Sequence, residues 1–285
     1  MIPFDMVEPT SLKEAMSLLN PDEPTIRPVG GGTALMLMMK AGVFQPSLLV
    51  CLHKIEPEYS RITAVDGGLK IGAMATLSDL EHDADVAAKF PVLNKAMKTL
   101  SNPRVRNVAR VGGALAHGDP HMDLPPVLTM LNAKVAITGP KGDRELPLED
   151  LFVGYYETAL ERDELITSVT VPALNGRKAA YMKVTSRNAD DWPALGVAVS
   201  FALEGRAIKD PRVVISAATE KVTRMASAEK ILQGQAPDDD VLNRAGDAAV
   251  DEATILSDAH GSAPYKRELL RVYMRRAVRQ AIEGA

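Results

Sequence analysis

The segment TIRPVGGGTALMLMMKAG, residues 25–42, joins a short strand-like run to an apolar helix-forming run through three consecutive glycines. Residues 25–29 predict a strand, and the last part predicts a short helix that ends at Gly42. Glycines have no Cβ, so the backbone N–H groups between the two elements can point at an anion near the helix N-terminus. The segment is not a Rossmann fingerprint, because Leu35 occupies the position of the third glycine. It is not a P-loop either, because no Gly-Lys-Ser/Thr follows the glycines. Taken alone, it is also compatible with a flexible turn.

The segment RVGGALAHGDPHMDLPP, residues 110–126, contains a second glycine pair, Gly112 and Gly113. We interpret this pair as a second glycine-rich loop, whose backbone comes close to a ligand. Two such loops in separate lobes suit a long ligand, such as a dinucleotide, held along its length between the lobes. The pair of segments is therefore stronger support for a ligand site than either segment alone.

The same segment allows a metal-site interpretation, because His117 and His121 are four residues apart. Histidines at that spacing share a face only if the segment is helical, and Gly118 and Pro120 argue against a helix there. No glutamate lies between the histidines to serve as a general base. We therefore favour capping or solvated histidines at the rim of a ligand loop over a metal site.

Asp123 directly precedes the helix-forming run LPPVLTML. Its side chain can cap that helix. Alternatively, the same carboxylate can accept hydrogen bonds from ligand hydroxyls. The sequence leaves both roles open.

The composition excludes several classes of function. The chain has 285 residues, 46% of them hydrophobic and 25% charged, as in a soluble globular protein. A net charge of −4 gives no general reason to expect nucleic-acid binding. The single cysteine, Cys51, excludes an internal disulfide, a cysteine-ligated iron–sulfur cluster and a multi-cysteine zinc site within this chain, and we predict it to be buried at the end of a strand. The sequence shows no secretory signal and no membrane span, so we expect a cytoplasmic protein.

The remaining patterns predict an α+β protein with two small lobes and a further domain. Residues 66–68 predict a turn between two strands, and the helical stretch that follows is predicted in two pieces divided near Pro91. A hairpin is predicted around residues 140–143. From Gly176 onward, three predicted strands precede three helices, at about 225–234, 238–250 and 264–283.

With these motifs identified, the chain resembles the FAD-binding medium subunit of molybdenum hydroxylases, the carbon monoxide dehydrogenase / xanthine dehydrogenase flavoprotein family. The resemblance runs from PFDMVEPTSLKEAMSLL near the N-terminus to YKRELLRVYMRRAV near the C-terminus. The family's first flavin loop typically reads Ala-Gly-Gly-(His/Thr)-(Ser/Asp), and residues 30–34 read GGGTA here. Its second loop typically reads Thr-Ile-Gly-Gly-Asn and then Asp-Pro-x-x-Asp-x-Pro, which correspond to residues 110–114 and 119–125.

The resemblance implies FAD as cofactor and a vanillyl-alcohol-oxidase/PCMH-like fold. Residues 1–175 would form the FAD-binding domain, with lobes at about 1–57 and 58–175, and residues 176–285 a C-terminal α+β domain with a three-stranded antiparallel sheet and helices. The two glycine segments would wrap the FAD pyrophosphate and ribityl region, and Asp123 would bind ribityl or ribose hydroxyls. Leu100, Ile166 and Lys183 would line the flavin or the adenine end. The implied cofactor-binding residues are Val29, Gly30, Gly31, Gly32, Thr33, Ala34, Leu100, Arg110, Val111, Gly112, Gly113, Ala114, Asp123, Ile166 and Lys183.

Three positions depart from the family pattern. Ala34, Arg110 and Ala114 replace residues whose side chains usually hydrogen-bond to the cofactor. Main-chain N–H groups can still hold the pyrophosphate, and Arg110 can ion-pair with a phosphate. We also expect that Gly112→Val abolishes FAD retention, because a branched Cβ would meet the cofactor.

The resemblance implies an electron-transfer subunit without catalytic acid–base residues or metal ligands of its own. A large molybdenum-cofactor subunit would oxidise the substrate, and a small subunit with two iron–sulfur clusters would relay electrons to FAD, in a hetero-oligomer such as a dimer of heterotrimers. The alternatives are a free-standing flavin oxidoreductase and a degenerate scaffold subunit that does not bind FAD.

Overall fold

The computed structural model describes residues 3–284, and a small parallel sheet forms its N-terminal part. The strand order is β1-β3-β2, and both outer strands run parallel to β3. Neighbouring strands that run parallel need crossover connections, and the two helices of this part of the chain provide them. The elements are β1 (Asp5–Val7), α1 (Leu12–Ser17), β2 (Ile26–Val29), α2 (Thr33–Lys40) and β3 (Leu48–Cys51).

The second sheet is antiparallel, with the strand order β4-β5-β10-β6-β7. The turn between its first two strands places Asp66 and Gly67 at positive φ, 49° and 77°, as a two-residue hairpin turn requires. The strands are β4 (Ile62–Val65), β5 (Gly68–Gly72), β6 (Lys134–Gly139), β7 (Gly142–Pro147) and β10 (Leu165–Val171), and a separate hairpin consists of β8 (Phe152–Gly154) and β9 (Glu157–Thr158). Single 3₁₀ turns occupy Leu52–Lys54, Pro57–Ser60 and Leu148–Asp150.

The helices of this part share one apolar core with the second sheet. They are α3 (Leu77–His82), α4 (Ala84–Lys89), α5 (Pro91–Thr99), α6 (Pro103–Arg106), α7 (Val111–Ala116) and α8 (Leu124–Met130). The prediction of two helical pieces around Pro91 was wrong, because there are three. Asp83 ends α3, and its side chain accepts a hydrogen bond from the Val86 N–H at 2.9 Å, which starts α4.

The third sheet has the antiparallel order β11-β12-β13-β14. It contains one strand more than the three predicted, because β14 has only two residues and so leaves no pattern in the sequence. The elements are β11 (Lys178–Val184), β12 (Leu195–Glu204), β13 (Ala207–Ser216), β14 (Thr223–Arg224), α9 (Ala226–Leu232), α10 (Asp239–Glu252) and α11 (Ala263–Glu283).

The central strand of the third sheet, β12, is buried on both faces. Val197 and Val199 pack among residues of α10 and α11, whereas Ala198 packs in the core beneath the second sheet. This two-sided burial explains why the strand reads as a continuous apolar run rather than an alternating one. The predicted α+β class is confirmed.

Two further sequence predictions concern single features. Cys51 ends β3 and is buried, as predicted, and burial raises the pKa of its thiol. Within residues 3–284, no helix combines the length and the apolar character that crossing a bilayer requires.

Candidate functional site

A cleft with a volume of about 260 Å³ lies where the two glycine segments meet. The first segment reaches it from the turn between β2 and α2, and the second from the start of α7. The chain therefore brings together two stretches that are far apart in sequence. The predicted residues that line the cleft are Val29, Gly30, Gly31, Gly32, Thr33, Ala34, Arg110, Gly113 and Ala114.

Two glycines of the first segment are fixed by backbone geometry. A Cβ on Gly31 would lie 2.0 Å from the backbone oxygen of Val108, so only glycine allows the two segments to approach this closely. Gly32 has a φ of 68° and forms the N-cap of α2. The first backbone N–H groups of that helix have no partner within the helix, and the residues that carry them line the cleft.

The second glycine segment is a helix rather than the predicted loop. α7 begins directly after Arg110 and includes both glycines. Gly112 donates its N–H to the Ala73 oxygen at 2.7 Å, and a Cβ there would lie 2.7 Å from the Ala73 Cβ. Outside its own helix, no atom of residues 3–284 lies within 4 Å of the Cβ position of Gly113, and this glycine lines the cleft. The prediction that a side chain at position 112 would clash with a ligand was therefore wrong. That side chain would meet Ala73, and the glycine that faces the cleft is Gly113.

Arg110 carries a positive charge to the cleft without a carboxylate partner. Its Nη1 donates to the Met74 oxygen at 2.8 Å, its buried Nε has no hydrogen-bond partner, and within residues 3–284 no Asp or Glu oxygen lies within 4 Å of its guanidinium. Arg27 is a second cation of the lining, and its guanidinium carbon lies 5.3 Å from the centre of the Phe44 ring. Burial, together with the charge of Arg162, lowers the pKa of Arg27. Unpaired positive charge of this kind favours an anionic ligand.

Aromatic residues form another part of the lining. The rings of His117 and Tyr156 meet edge to face, with centroids 5.0 Å apart. Burial lowers the pKa of His117, although the charge of Asp119 opposes this, and burial raises the pKa of the Tyr156 hydroxyl. Both groups are therefore neutral near pH 7, and they offer ring surface and hydrogen-bonding atoms rather than charge. Tyr156, Arg27 and Phe44 were not predicted as site residues. The signals in the sequence were the adjacent tyrosine pair in GYYET and the position of Arg27 inside the first glycine segment.

Three other predicted residues come together in a buried group outside the lining of the cleft. Asp123 accepts hydrogen bonds from the Tyr181 hydroxyl at 2.6 Å and from Lys183 Nζ at 2.9 Å. Lys183 Nζ also donates to the Thr99 oxygen at 2.9 Å, next to the buried Leu100. Burial raises the pKa of Asp123, while the charge of Lys183 and the two hydrogen bonds oppose the rise.

Asp123 occupies the N-cap position of α8 but has helical backbone angles, and its side chain makes no capping hydrogen bond. The capping role considered for it was therefore wrong. Val111 is fully buried in the core, and Ile166 on β10 packs against that core half-buried. Neither residue lines the cleft.

The two histidines that suggested a metal site lie in different environments. His117 lines the cleft, whereas the ring nitrogens of His121 lie 3.0 Å from Asp119 and 2.9 Å from Asp258. In the part of the chain that the structure describes, no group of three His, Cys, Asp or Glu side chains is placed to hold a metal ion.

Comparisons with known proteins agree with this geometry. Residues 2–174 match the family described as the FAD binding domain in molybdopterin dehydrogenase, and residues 180–281 match the CO dehydrogenase flavoprotein C-terminal domain. The glyceraldehyde dehydrogenase medium chain of Sulfolobus acidocaldarius is 31% identical over 97% of this chain and 98% of its own length.

Two solved structures superpose on the whole chain. Carbon monoxide dehydrogenase from Hydrogenophaga pseudoflava, in a form that lacks the Mo-pyranopterin moiety of the molybdenum cofactor, gives a TM-score of 0.95 at 32% identity, with 99% of both chains covered. Quinoline 2-oxidoreductase from Pseudomonas putida 86 gives a TM-score of 0.93 at 27% identity, with 100% of this chain and 98% of the other covered.

Proposed function

Because the chain belongs to the family of FAD-binding medium subunits of molybdenum hydroxylases, we propose that it passes electrons from a partner subunit, through FAD, to an external acceptor. The partners in this proposal are a large molybdenum-cofactor subunit and a small subunit with two iron–sulfur clusters, arranged as a dimer of heterotrimers. The single cysteine supports it, because the clusters of such a relay must then come from another chain. A cytoplasmic setting is part of the proposal. A chain with one cysteine cannot form an internal disulfide, so an oxidising compartment would add nothing to its stability.

The meeting of both glycine segments in one cleft is the observation that carries the proposal. A diphosphate fits there, because the open N-terminus of α2 supplies N–H donors and Arg110 supplies an unpaired guanidinium with a free buried Nε. The bare Cα of Gly113 leaves room for close approach of a ligand. Ala34 and Ala114 offer no side-chain donor, so main-chain groups and Arg110 take over that role. Val111 and Gly112 lie on the buried side of α7 and support the wall of the cleft from behind.

The buried group around Asp123 provides further hydrogen-bonding capacity for the cofactor. A carboxylate has about four lone-pair sites, and the Asp123 carboxylate accepts two side-chain hydrogen bonds. An ammonium has three N–H donors, and the two acceptors of Lys183 Nζ leave one donor free. We assign Asp123 to ligand hydroxyls and Lys183 to a ligand oxygen, with Leu100 as an apolar neighbour. Bound FAD would supply the redox chemistry, by accepting and releasing electrons.

The test of this proposal is the flavin content and the partner content of the purified chain. We expect a yellow protein with about one FAD per chain, measured by absorbance and by chromatography after acid release, and co-purification with a molybdenum subunit and an iron–sulfur subunit. A flavin-loaded chain that purifies without partners would favour a free-standing flavin oxidoreductase. A colourless chain that fails to reconstitute with FAD would refute the proposal and favour a scaffold role.

A further inference from the structure

A second cavity, with a volume of about 530 Å³, lies between the end of α8 and the face formed by β13 and α9. Its volume falls within the range of small-molecule sites. Arg177, which lines it, directly precedes β11, whereas Lys183 of the buried Asp123 group lies near the other end of that strand. A strand of this length spans roughly 20 Å. The cavity is therefore separate from the proposed FAD site. We call it the arginine cavity after Arg177, Arg212 and Arg224, which line it.

The arginine cavity is built around an irregularity of the third sheet. The β12–β13 register shifts between Ser200 and Ala202, and Asp210 has a φ of 47° at this bulge. The bulge exposes the Asp210 backbone oxygen to the Arg177 guanidinium, which also donates to the Ser200 oxygen at 3.4 Å. Bulges often re-aim groups at functional sites. Here the bulge holds a guanidinium against the cavity through neutral acceptors.

The positive charges of the arginine cavity are only partly offset. Arg177 has no carboxylate within 4 Å among residues 3–284, and the nearest carboxylate of Arg212 is Glu149 at 3.7 Å. Glu149 is shared with Arg224 at 3.8 Å. Glu229 of the lining accepts from Arg224 Nε at 2.8 Å and from the Val213 N–H at 2.9 Å. Glu149 and Glu229 both contact Arg224, and the Asp210 carboxylate of the lining acts on Arg177 only from beyond 4 Å, so the charges of Arg177 and Arg212 are only partly compensated.

The protonation equilibria agree with an excess of positive charge. Burial lowers the pKa of Arg177, although the charge of Asp210 opposes this. Burial and the neighbouring charge of Arg224 lower the pKa of Arg212, and Glu149 and Glu229 only partly oppose this. Lys230 adds a further cation to the lining. An anion in the cavity would relieve this repulsion, and guanidinium forks match phosphate and carboxylate oxygens in pairs.

We propose that the arginine cavity binds a small-molecule anion, a ligand that carries a phosphate or carboxylate group, held by Arg177 and Arg212. Its walls come from α8 and residues 172–174 on one side and from β13 and α9 on the other. Binding there would tie the C-terminal sheet to the part of the chain that carries the glycine segments. The site is independent of the proposed electron-transfer function, because none of its residues lines the FAD cleft.

The experiment uses the full chain loaded with FAD, so that the cleft is occupied. Inorganic phosphate, inorganic pyrophosphate and citrate are titrated by calorimetry and thermal melting, against sodium chloride at the same ionic strength. We expect at least one of the three to bind and to raise Tm, and the phosphate and citrate arms then distinguish the two ligand classes. Arg212→Gln should weaken binding about 10-fold, the loss expected for one charge-assisted hydrogen bond. The flavin content should not change.

Two further variants exclude misfolding as an explanation. Glu149→Gln removes a carboxylate that competes with the anion for Arg212 and Arg224. It should therefore tighten anion binding about 3-fold, which is the size of effect expected from one partly exposed ion pair. Arg244→Gln, on the exposed side of α10, should leave binding unchanged. The proposal is overturned if none of the three anions does more than chloride, or if Arg244→Gln and Arg212→Gln have the same effect.

Discussion

His121 Nε2 lies 2.9 Å from Asp258 Oδ2, and this contact joins the segment after the second glycine pair to the segment before α11. Its Nδ1 lies 3.0 Å from Asp119 Oδ1. Both ring nitrogens face carboxylates, which only accept hydrogen bonds, so the ring is held as a doubly protonated cation. The fully buried Lys266 also donates a hydrogen bond to Asp258 Oδ2. The centre of the His260 ring lies 5.3 Å from the centre of the His121 ring.

This network makes stability depend on pH. Burial disfavours the charged His121 ring, but the hydrogen bonds with Asp119 and Asp258 outweigh burial and raise its pKa above the usual 6.5. The stabilisation is therefore complete below pH 6.5 and is lost as the pH rises through the folded-state pKa. Burial also opposes ionisation of Asp258, but Lys266 and His121 lower its pKa to about 2, so its contribution is lost only at strongly acidic pH. We expect His121→Gln to reduce the unfolding free energy by about 1–3 kcal/mol at pH 6 and by less at pH 9.

Urea unfolding at the two pH values measures this difference, with His82→Gln on the exposed end of α3 as the control. An equal loss at both pH values would mean that the His121 ring stabilises the fold through packing and not through charge.

Gly112 and Gly113 are adjacent, yet we expect opposite consequences from the same substitution. Gly113→Ala adds a methyl group to open space inside a helix, so stability should rise by up to about 1 kcal/mol while FAD content falls. Gly112→Ala forces a Cβ against Ala73 and should cost about 1–3 kcal/mol. Thermal melting of the FAD-free chains and flavin content after reconstitution separate the two effects. Full FAD retention in a folded Gly113→Ala chain would contradict the placement of the cofactor.

Arg110 should contribute to cofactor affinity more than to folding. Its guanidinium has one main-chain acceptor and no ion pair in the described part of the chain. We expect Arg110→Gln to weaken FAD binding about 10-fold, as the loss of one charge-assisted hydrogen bond would, with an unfolding free energy that hardly changes. Fluorescence titration of the FAD-free chain measures the affinity, and the difference between wild type and variant should shrink as salt is added. A difference that does not depend on salt would argue for packing against Gly30 instead.

The Lys183–Asp123 ion pair is buried, with side-chain exposures of 7% and 5%. Lys183→Met leaves a buried carboxylate without its counter-charge, so we expect a loss of about 3–5 kcal/mol at pH 8. Because protonation would neutralise that carboxylate, the loss should be smaller at pH 5. Lys178→Met, on the same strand, serves as the control in urea unfolding at both pH values. An unchanged loss between pH 5 and pH 8 would show that Asp123 is not the group that responds.

The sequence predicts those parts of the fold that have local causes. The turn at Asp66 and Gly67, the strand that ends at Cys51 and the start of α2 after three glycines all follow from short-range patterns and are confirmed. The helix α7 was missed, because glycine is a poor helix former and the segment is fixed instead by the long-range hydrogen bond from Gly112 to Ala73.

Contacts between distant residues carry little local signal. Tyr156 reaches the cleft from the turn between β8 and β9, outside both glycine segments, and no spacing rule connects it to the glycines. The grouping of Asp123 with Lys183 was suggested only through the family resemblance, and the partner Tyr181 was not suggested at all. The arginine cavity depends on a β-bulge at Asp210, which no periodicity in the sequence indicates.

The two-sided burial of β12 means that neither half of this molecule has a complete interior of its own. Ala198 and Val214 of the third sheet belong to the same apolar core as Leu69 and Ile71 of the second sheet. A chain cut near residue 175 would present that shared interior to water and would tend to aggregate. The two parts should therefore melt in one calorimetric transition. A destabilising substitution in either part should lower the Tm of that single transition.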